Sequence, residues 1–408
     1  MNILFLTLLY PPEQLQAVQQ RSRDGLQNQI HSFQIAMRQG LQASLQPGET
    51  LYCVNALPVG IFPKHYKRLW LSGRSAAPDM EQLGSLNLPW LKQRARARKA
   101  RRALERWIAA SPDNRTILVY TLYLPYMQAV QAVRKRHPDV RAAVIVTDLP
   151  NELGIASGRK GLLQRLEYRM GERSLALCRA FDGFVLLTAP MAQALGVETQ
   201  PALVLEGLIT EQSPSAQTVE IPADTRPAVL YTGTLNRELG IGLLLEAFAQ
   251  LPEAQLWLCG KGDLEPEARE AAARLDNIHY FGYVPQDTAL ALQAKATALI
   301  NPRTAEGVFT RYSFPSKTLE YMRSGKPVLC CKLEGIPDEY DPYLRYITPQ
   351  TAEGIRGAVH TLLALPEAER AAMGERARDF VLEKKSSSAQ AARLLQWLRT
   401  VPRSHRDG

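Results

Sequence analysis

The chain has little that would point to metal, disulfide or membrane-spanning chemistry. Its five cysteines, Cys53, Cys178, Cys259, Cys330 and Cys331, form no C-x-x-C pair, and only the last two are neighbours, so neither a zinc site nor a disulfide framework is indicated. A reducing, cytoplasmic setting fits that usage. The six histidines (His31, His65, His137, His279, His360, His405) are scattered without metal-ligand spacing. No apolar run reaches the roughly 18 residues of a spanning helix. The opening Met1 to Tyr10 lacks a charged leading region and runs into Pro11-Pro12 without a small-residue cleavage site, so it reads as a buried first strand.

A length of 408 residues is too great for one core and predicts two domains. The net charge of +9 is unevenly placed: 26 Lys and Arg face 14 Asp and Glu up to Gln200, against 23 and 26 beyond it. Much of the excess lies in Lys92, Arg94, Arg96, Arg98, Lys99, Arg101, Arg102 and Arg106, with Trp90, Leu91, Leu104, Trp107 and Ile108 nearby. This reads as a basic, partly amphipathic helix. Over 92–106 it could attract an anionic membrane surface, leaving the protein cytoplasmic or peripheral at the inner face of a cell membrane. A solvated helix face is the plain alternative. Nucleic acid is not expected, because no zinc-finger or RNP-like aromatic motif accompanies the charge.

The first third alternates short apolar runs, Ile3 to Leu9, Leu51 to Ala56, Arg115 to Tyr120 and Arg141 to Val146, with segments long enough for helices. Such alternation predicts a parallel sheet covered on both faces. Val146-Thr147-Asp148-Leu149-Pro150-Asn151 puts Asp148 at the carboxyl end of a strand, where open α/β sheets bind ligands; an Asx turn or N-cap is its alternative. Residues 161–180 read as a helix, and Phe181 to Leu187 as a strand ending at Thr188. From Thr210 to Pro227 the chain is rich in Ser, Pro, Thr and Gln, a linker centred near residue 215. The rhythm then restarts: Ala228 to Leu235, Ala254 to Cys259, Ile278 to Pro285 and Ala298 to Pro302 read as strands, with glycine turns at Gly233 and at Gly260-Lys261-Gly262-Asp263.

Ser313 to Leu329 carries the most information. Pro315 suits a first helical turn, and Gly325 and Pro327 supply a stop, predicting a helix from about Ser313 to Ser324 and a buried strand after it. Leu319, Met322 and Pro315 fall on one face, Lys317 and Glu320 on the other. A lysine in the first turn reinforces the anion preference of a helix N-terminus, and a glutamate a turn later can accept from paired hydroxyls, as a ribose presents. Together they suggest a nucleoside diphosphate. An ordinary i,i+3 surface ion pair is the alternative.

The run Leu319-Glu320-Tyr321-Met322-Arg323-Ser324-Gly325-Lys326-Pro327-Val328 resembles the signature of the GT-B nucleotide-sugar glycosyltransferases of the family 4 type. Residues 200–335 carry the likeness well and the first 200 loosely. It implies two Rossmann-like, doubly wound α/β domains facing a cleft: an acceptor domain at 1–205, a linker at 206–226, a donor domain at 227–384 and a last helix at 385–401 crossing back. It implies a retaining transferase moving a hexose from a UDP- or GDP-linked sugar to a saccharide or lipid-linked acceptor, in bacterial surface polysaccharide biosynthesis. No other cofactor is implied. No Asp-x-Asp occurs, so a metal-independent reaction is expected.

The implied catalytic residues are Asp148, Arg303 and Lys317. Donor contacts fall to Gly233, Thr234, Arg237, Gly260, Gly262, Tyr283, Arg311, Tyr312, Ser316, Lys317 and Glu320. The pattern departs from the family at several positions. Thr234 and Leu239 stand where two cations usually hold the diphosphate, Tyr312 replaces the first glutamate, and Gln14-Leu15-Gln16 replaces a glycine pair after Tyr10-Pro11-Pro12-Glu13. Arg237, Arg303 or Arg311 would have to substitute. A catalytically degenerate binding protein and a sugar-nucleotide epimerase of the same fold are the alternatives.

Overall fold

The computed structural model describes residues 1–26, 28–74, 77–111, 113–149, 162–210 and 219–402. The centre of the expected linker, residues Pro150 and Asn151 after Asp148, and the last six residues lie outside these. The chain divides into two compact units, one formed by residues 1–205 with the helix beginning at Ser387, the other by residues 206–386.

In the first unit the strands are β1 (Asn2–Thr7), β2 (Thr50–Asn55), β3 (Trp70–Leu71), β4 (Met80–Gln82), β5 (Ser85–Leu86), β6 (Arg115–Tyr120), β7 (Arg141–Val146), β8 (Gly183–Leu186) and β9 (Ala202–Val204). Seven form one sheet in the order β4-β2-β1-β6-β7-β8-β9, every adjacent pair parallel. All six residues of β1 and of β7 are buried, as expected of strands covered on both faces. The antiparallel pair β3 and β5 has two residues per strand, too few for any period in the sequence.

The last helix, Ser387–Thr400, packs on Asn28–Ser44 within this unit. A Cβ on Gly40 would lie 2.2 Å from the Ser387 carbonyl oxygen, so only glycine lets the two backbones approach. The buried side chains of the last helix are Gln390, Ala391, Leu394, Leu395 and Leu398.

In the second unit the strands are β10 (Ala228–Thr232), β11 (Gln255–Cys259), β12 (Ile278–Gly282), β13 (Ala298–Asn301), β14 (Val328–Cys330) and β15 (Arg345–Tyr346), ordered β12-β11-β10-β13-β14-β15 and all parallel. The order runs outward from β10 on one side and resumes at β13 on the other, the doubly wound pattern that opens a crevice beyond the carboxyl ends of those two strands. The same reversal lies between β1 and β6 in the first unit.

The chain enters the second unit at Glu206 and leaves it at Ser386, and a cluster around the buried Lys385 and Glu206 side chains holds both crossings. The Lys385 ammonium contacts the Glu206 carboxylate and, at 2.7 Å, Glu339; Tyr340 donates to Glu206 at 2.5 Å. Ile209 N–H donates to the Lys385 carbonyl at 2.9 Å. The residues after Leu205 are therefore packed into this unit well before the expected linker centre.

The basic helix runs from Leu91 to Ala110. Its buried stripe, Lys92, Arg96, Ala100, Ala103, Leu104, Trp107 and Ile108, takes two of the cations inward. Arg106 is bound by Glu81 at 2.8 Å and Lys99 donates to the Gly84 carbonyl at 2.7 Å. Arg94, Arg98 and Arg102, four residues apart, remain exposed together with Trp90 and Leu91. Among the described residues no helix is long and apolar enough to cross a membrane.

Candidate functional site

The loops following β10, β11 and β13 meet at the carboxyl edge of the second sheet. Glycine makes their packing possible. A Cβ on Gly260 would lie 1.7 Å from the Gly233 carbonyl oxygen, and one on Gly262 would lie 2.3 Å from that of Leu235. Backbone bonds lace the same turns, with Gly233 N–H donating to Cys259 and Leu235 N–H to Lys261, both at 2.9 Å. The expected glycine positions therefore form a tight double turn, with Thr234 exposed on it.

The signature helix runs from Ser316 to Arg323, three residues shorter at its start than predicted, because Pro315 is the N-cap in an extended conformation and not part of the first turn. Thr318, Leu319, Tyr321 and Met322 are its buried face. Tyr321 anchors it: its hydroxyl accepts from the Thr232 N–H at 2.8 Å and donates to the Thr232 carbonyl at 3.0 Å. Complete burial pushes this phenol well above its ordinary value, so it stays a neutral donor. The helix is thereby tied to the last residue of β10.

That anchoring fixes the polar face. Lys317 Nζ lies 3.0 and 3.1 Å from the two Glu320 oxygens. Gln293, from the helix Gln286–Lys295 and fully buried, donates to Glu320 Oε1 at 2.7 Å and to Thr232 Oγ1 at 3.4 Å. Glu320 is thus held from two sides, by a cation and by a rigid amide. Lys317 also acts on the end of β11: burial pushes the Cys259 thiol up to about 12, and the Lys317 charge opposes that rise.

The other expected cations are arranged differently. Arg303 donates to Ser313 Oγ at 2.6 Å, and burial holds its guanidinium below its ordinary value, partly offset by Tyr231. Arg237 is exposed, 3.5 Å from Glu267, and Arg311 binds Glu334 at 2.9 Å. Tyr312 closes a short helical turn at Val308–Tyr312, Ser316 is exposed at the first helical position, and the exposed Tyr283 ring has Lys261 Nζ 5.5 Å from its centroid. Leu239 is packed against the core. Asp148 belongs to the first unit, exposed at the carboxyl end of β7, where it accepts from Thr147 Oγ1 at 3.2 Å. Among the described residues no three histidine, cysteine or carboxylate side chains are grouped to share a metal ion.

Sequence reasoning passed over Gln293 and Tyr321. Tyr321 lies within the signature, and its position one residue after Glu320 puts it on the buried face, a signal that was available. Gln293 sits on a helix with no clear apolar stripe, and nothing local marks it.

Residues 226–364 match the model of the glycosyl transferases group 1 family. No curated protein matches the chain by sequence. Among solved structures it is similar to the sucrose-phosphate synthase from Thermosynechococcus elongatus (17% identity, 98% of each chain covered, TM-score 0.62). It is also similar to HepE of Anabaena in complex with UDP (15% identity, 98% of this chain and 100% of that chain, TM-score 0.61). A lipopolysaccharide outer core galactosyltransferase, WaaB, resembles it too (13% identity, 98% and 99% covered, TM-score 0.60). The fold is that of the GT-B glycosyltransferases. The residues that match the group 1 model lie within the second unit, and the Lys317–Glu320 pair is among them.

Proposed function

We propose that the chain is a retaining glycosyltransferase moving a hexose from a UDP- or GDP-linked sugar to a saccharide or lipid-linked acceptor, without a metal ion, in the assembly of a bacterial surface polysaccharide. The carrying observation is the Lys317–Glu320 pair at the start of a helix on the carboxyl edge of the second sheet. A diphosphate arriving there offers Lys317 a second anion. Lys317 turns from Glu320 to the phosphates, and Gln293 keeps the freed carboxylate in place to accept from ribose hydroxyls. Charge developing on the leaving diphosphate is met by Lys317, by Arg303 and by the first N–H groups of the Ser316 helix. The UDP of the HepE structure supports a uridine donor, and the galactosyltransferase likeness supports a hexose.

An anionic membrane surface would meet Arg94, Arg98 and Arg102 beside Trp90. Binding to anionic vesicles that weakens with salt is the expected result, and failure to bind at any ionic strength removes this part of the reading. Arg237 and Arg311, each engaged by a surface carboxylate, favour a second reading in which the fold binds a nucleotide sugar without turning it over. A thermal-shift series with UDP, GDP, ADP, CMP and their sugar conjugates, followed by a transfer assay, separates the two. Selective stabilisation with turnover supports transfer; stabilisation alone supports the binding protein; neither removes both.

A further inference from the structure

The first sheet reverses its strand order between β1 and β6, and near that edge two buried cations join the neutral Asn55 and Gln34. Lys92 and Arg96 lie one turn apart on the buried stripe of the helix Leu91–Ala110, 3% and 2% exposed. The Lys92 ammonium donates to the Val59 carbonyl, Arg96 Nη2 to the Leu57 carbonyl at 2.6 Å, and Arg96 Nη1 to the Tyr123 hydroxyl at 2.9 Å. Tyr123, partly exposed, donates onward to Gln93 Oε1 at 2.7 Å, so the cluster extends from the interior towards the surface. Leu57 and Val59 follow β2, and Tyr123 follows β6.

What the cluster lacks is an anion. Among the described residues neither cation has a carboxylate partner, and the buried Arg96 Nε–H has no hydrogen-bond partner. Buried Arg134, by contrast, meets buried Asp182 at 2.8 Å, and buried Lys385 meets Glu206. The helix adds to the imbalance, since its first turn carries no acidic residue and its N-terminus is the positive end of the dipole. Burying two charges without a counter-ion is costly, and backbone carbonyls compensate only partly. Burial, together with Arg96, pushes the Lys92 ammonium down to about 7, as expected of an unneutralised cation. Thr121, between β6 and Tyr123, holds φ at 59°, a left-handed conformation that a β-branched residue rarely adopts.

We propose that Lys92, Arg96 and Tyr123 form a binding site for a phosphate group, the dianion that two adjacent cations and a helix N-terminus neutralise best, carried by the ligand of the first unit. That this ligand is the sugar acceptor rests on the transferase reading; that the site takes phosphate does not.

The test uses the full chain carrying Lys317→Ala, so that the second unit's cation does not answer for the first. Inorganic phosphate is titrated at fixed ionic strength and the melting temperature followed. A saturable rise is expected. It weakens about tenfold or more when Arg96→Gln or Lys92→Gln is added, and is unchanged when Arg136→Gln, at an exposed first-unit arginine outside the cluster, is added. Arg96→Lys, which keeps the charge, is the second variant should Arg96→Gln fail to fold, and it retains part of the rise. No saturable rise up to about 100 mM phosphate, or an equal rise in the Arg96 and Lys92 variants, overturns the proposal. Glucose 6-phosphate binding more tightly than phosphate assigns a soluble phosphosugar; Arg96-dependent capture by phosphatidic acid vesicles assigns a lipid headgroup, and either supports the site. UDP binding to the protein with Lys317 intact tests the donor reading separately.

Discussion

At the order reversal of the second sheet the chain places glycines, Lys317 and Glu320; at that of the first it places Asn55, Gln34, Lys92 and Arg96. The second edge is glycine backbone in close-packed turns, with the Lys317 charge felt at Cys259 beside them. The first is filled with side chains. Asn55 accepts from Leu9 N–H at 2.9 Å and from Thr7 Oγ1 at 3.1 Å, and Gln34 accepts from Leu8 N–H at 2.6 Å. The loop after β1, where a glycine pair would let a donor approach, instead turns into the short helix Pro12–Gln14 and a further helix from Leu15. One topology thus carries two differently furnished strand ends, set by whether glycine or a polar side chain occupies them.

Removing the cation of the second edge should have the largest effect. Lys317→Ala is expected to lower transfer by about 10²- to 10³-fold, the loss of one preorganised charge at a developing anion, with stability changed by no more than about 1 kcal/mol because the Lys317–Glu320 pair is partly exposed. Steady-state rates beside denaturant melts check both halves. Gly260→Ala comes next: its Cβ would meet the Gly233 carbonyl oxygen, and the backbone at φ +143° disfavours a side chain, so about 3 kcal/mol of stability should be lost in urea unfolding. Glu320→Ala should weaken nucleoside-diphosphate binding about 10- to 100-fold in calorimetry while leaving inorganic phosphate affinity nearly intact, since only the ribose contact goes.

The smallest effect sharpens the first edge. Lys92 has a folded pKa of about 7 against an ordinary 10.5, so the unfolded chain binds more protons between those values. Stability then rises as pH climbs from 7 towards 10.5, and the full cost is present below 7. Without phosphate, wild type should gain on Lys92→Met by up to about 1.4 kcal/mol per pH unit over the first units above 7. A difference between the two proteins that stays flat with pH would mean that Lys92 holds its proton in the fold as readily as in the unfolded chain, so that its charge is not left unneutralised in the interior.

Legibility in the sequence followed the same division. Apolar runs bounded by turn residues marked β6 and β7 to the residue, because strands covered on both faces need continuous apolar sequence. The two-residue strands β3, β5 and β15 left no period to read. In the second unit Lys317 and Glu320 were legible because helical spacing alone puts them on one face. Gln293 was not, since its contact with Glu320 spans 27 residues and depends on how two helices pack. The basic helix was recognised, but charge counting could not tell that Lys92 and Arg96 turn inward: composition favours solvent for every lysine and arginine, and only the stripe continuing through Ala100, Ala103, Leu104 and Trp107 reveals the buried face.

The central claim, that the second unit's edge takes a nucleoside diphosphate through Lys317 and Glu320, is tested most directly by calorimetric titration of UDP and GDP into the wild-type protein and into Lys317→Ala. Saturable binding of one diphosphate by the wild type, weakened at least about tenfold in the variant, is the predicted result. Equal binding by both proteins, or binding of neither nucleotide, would contradict it.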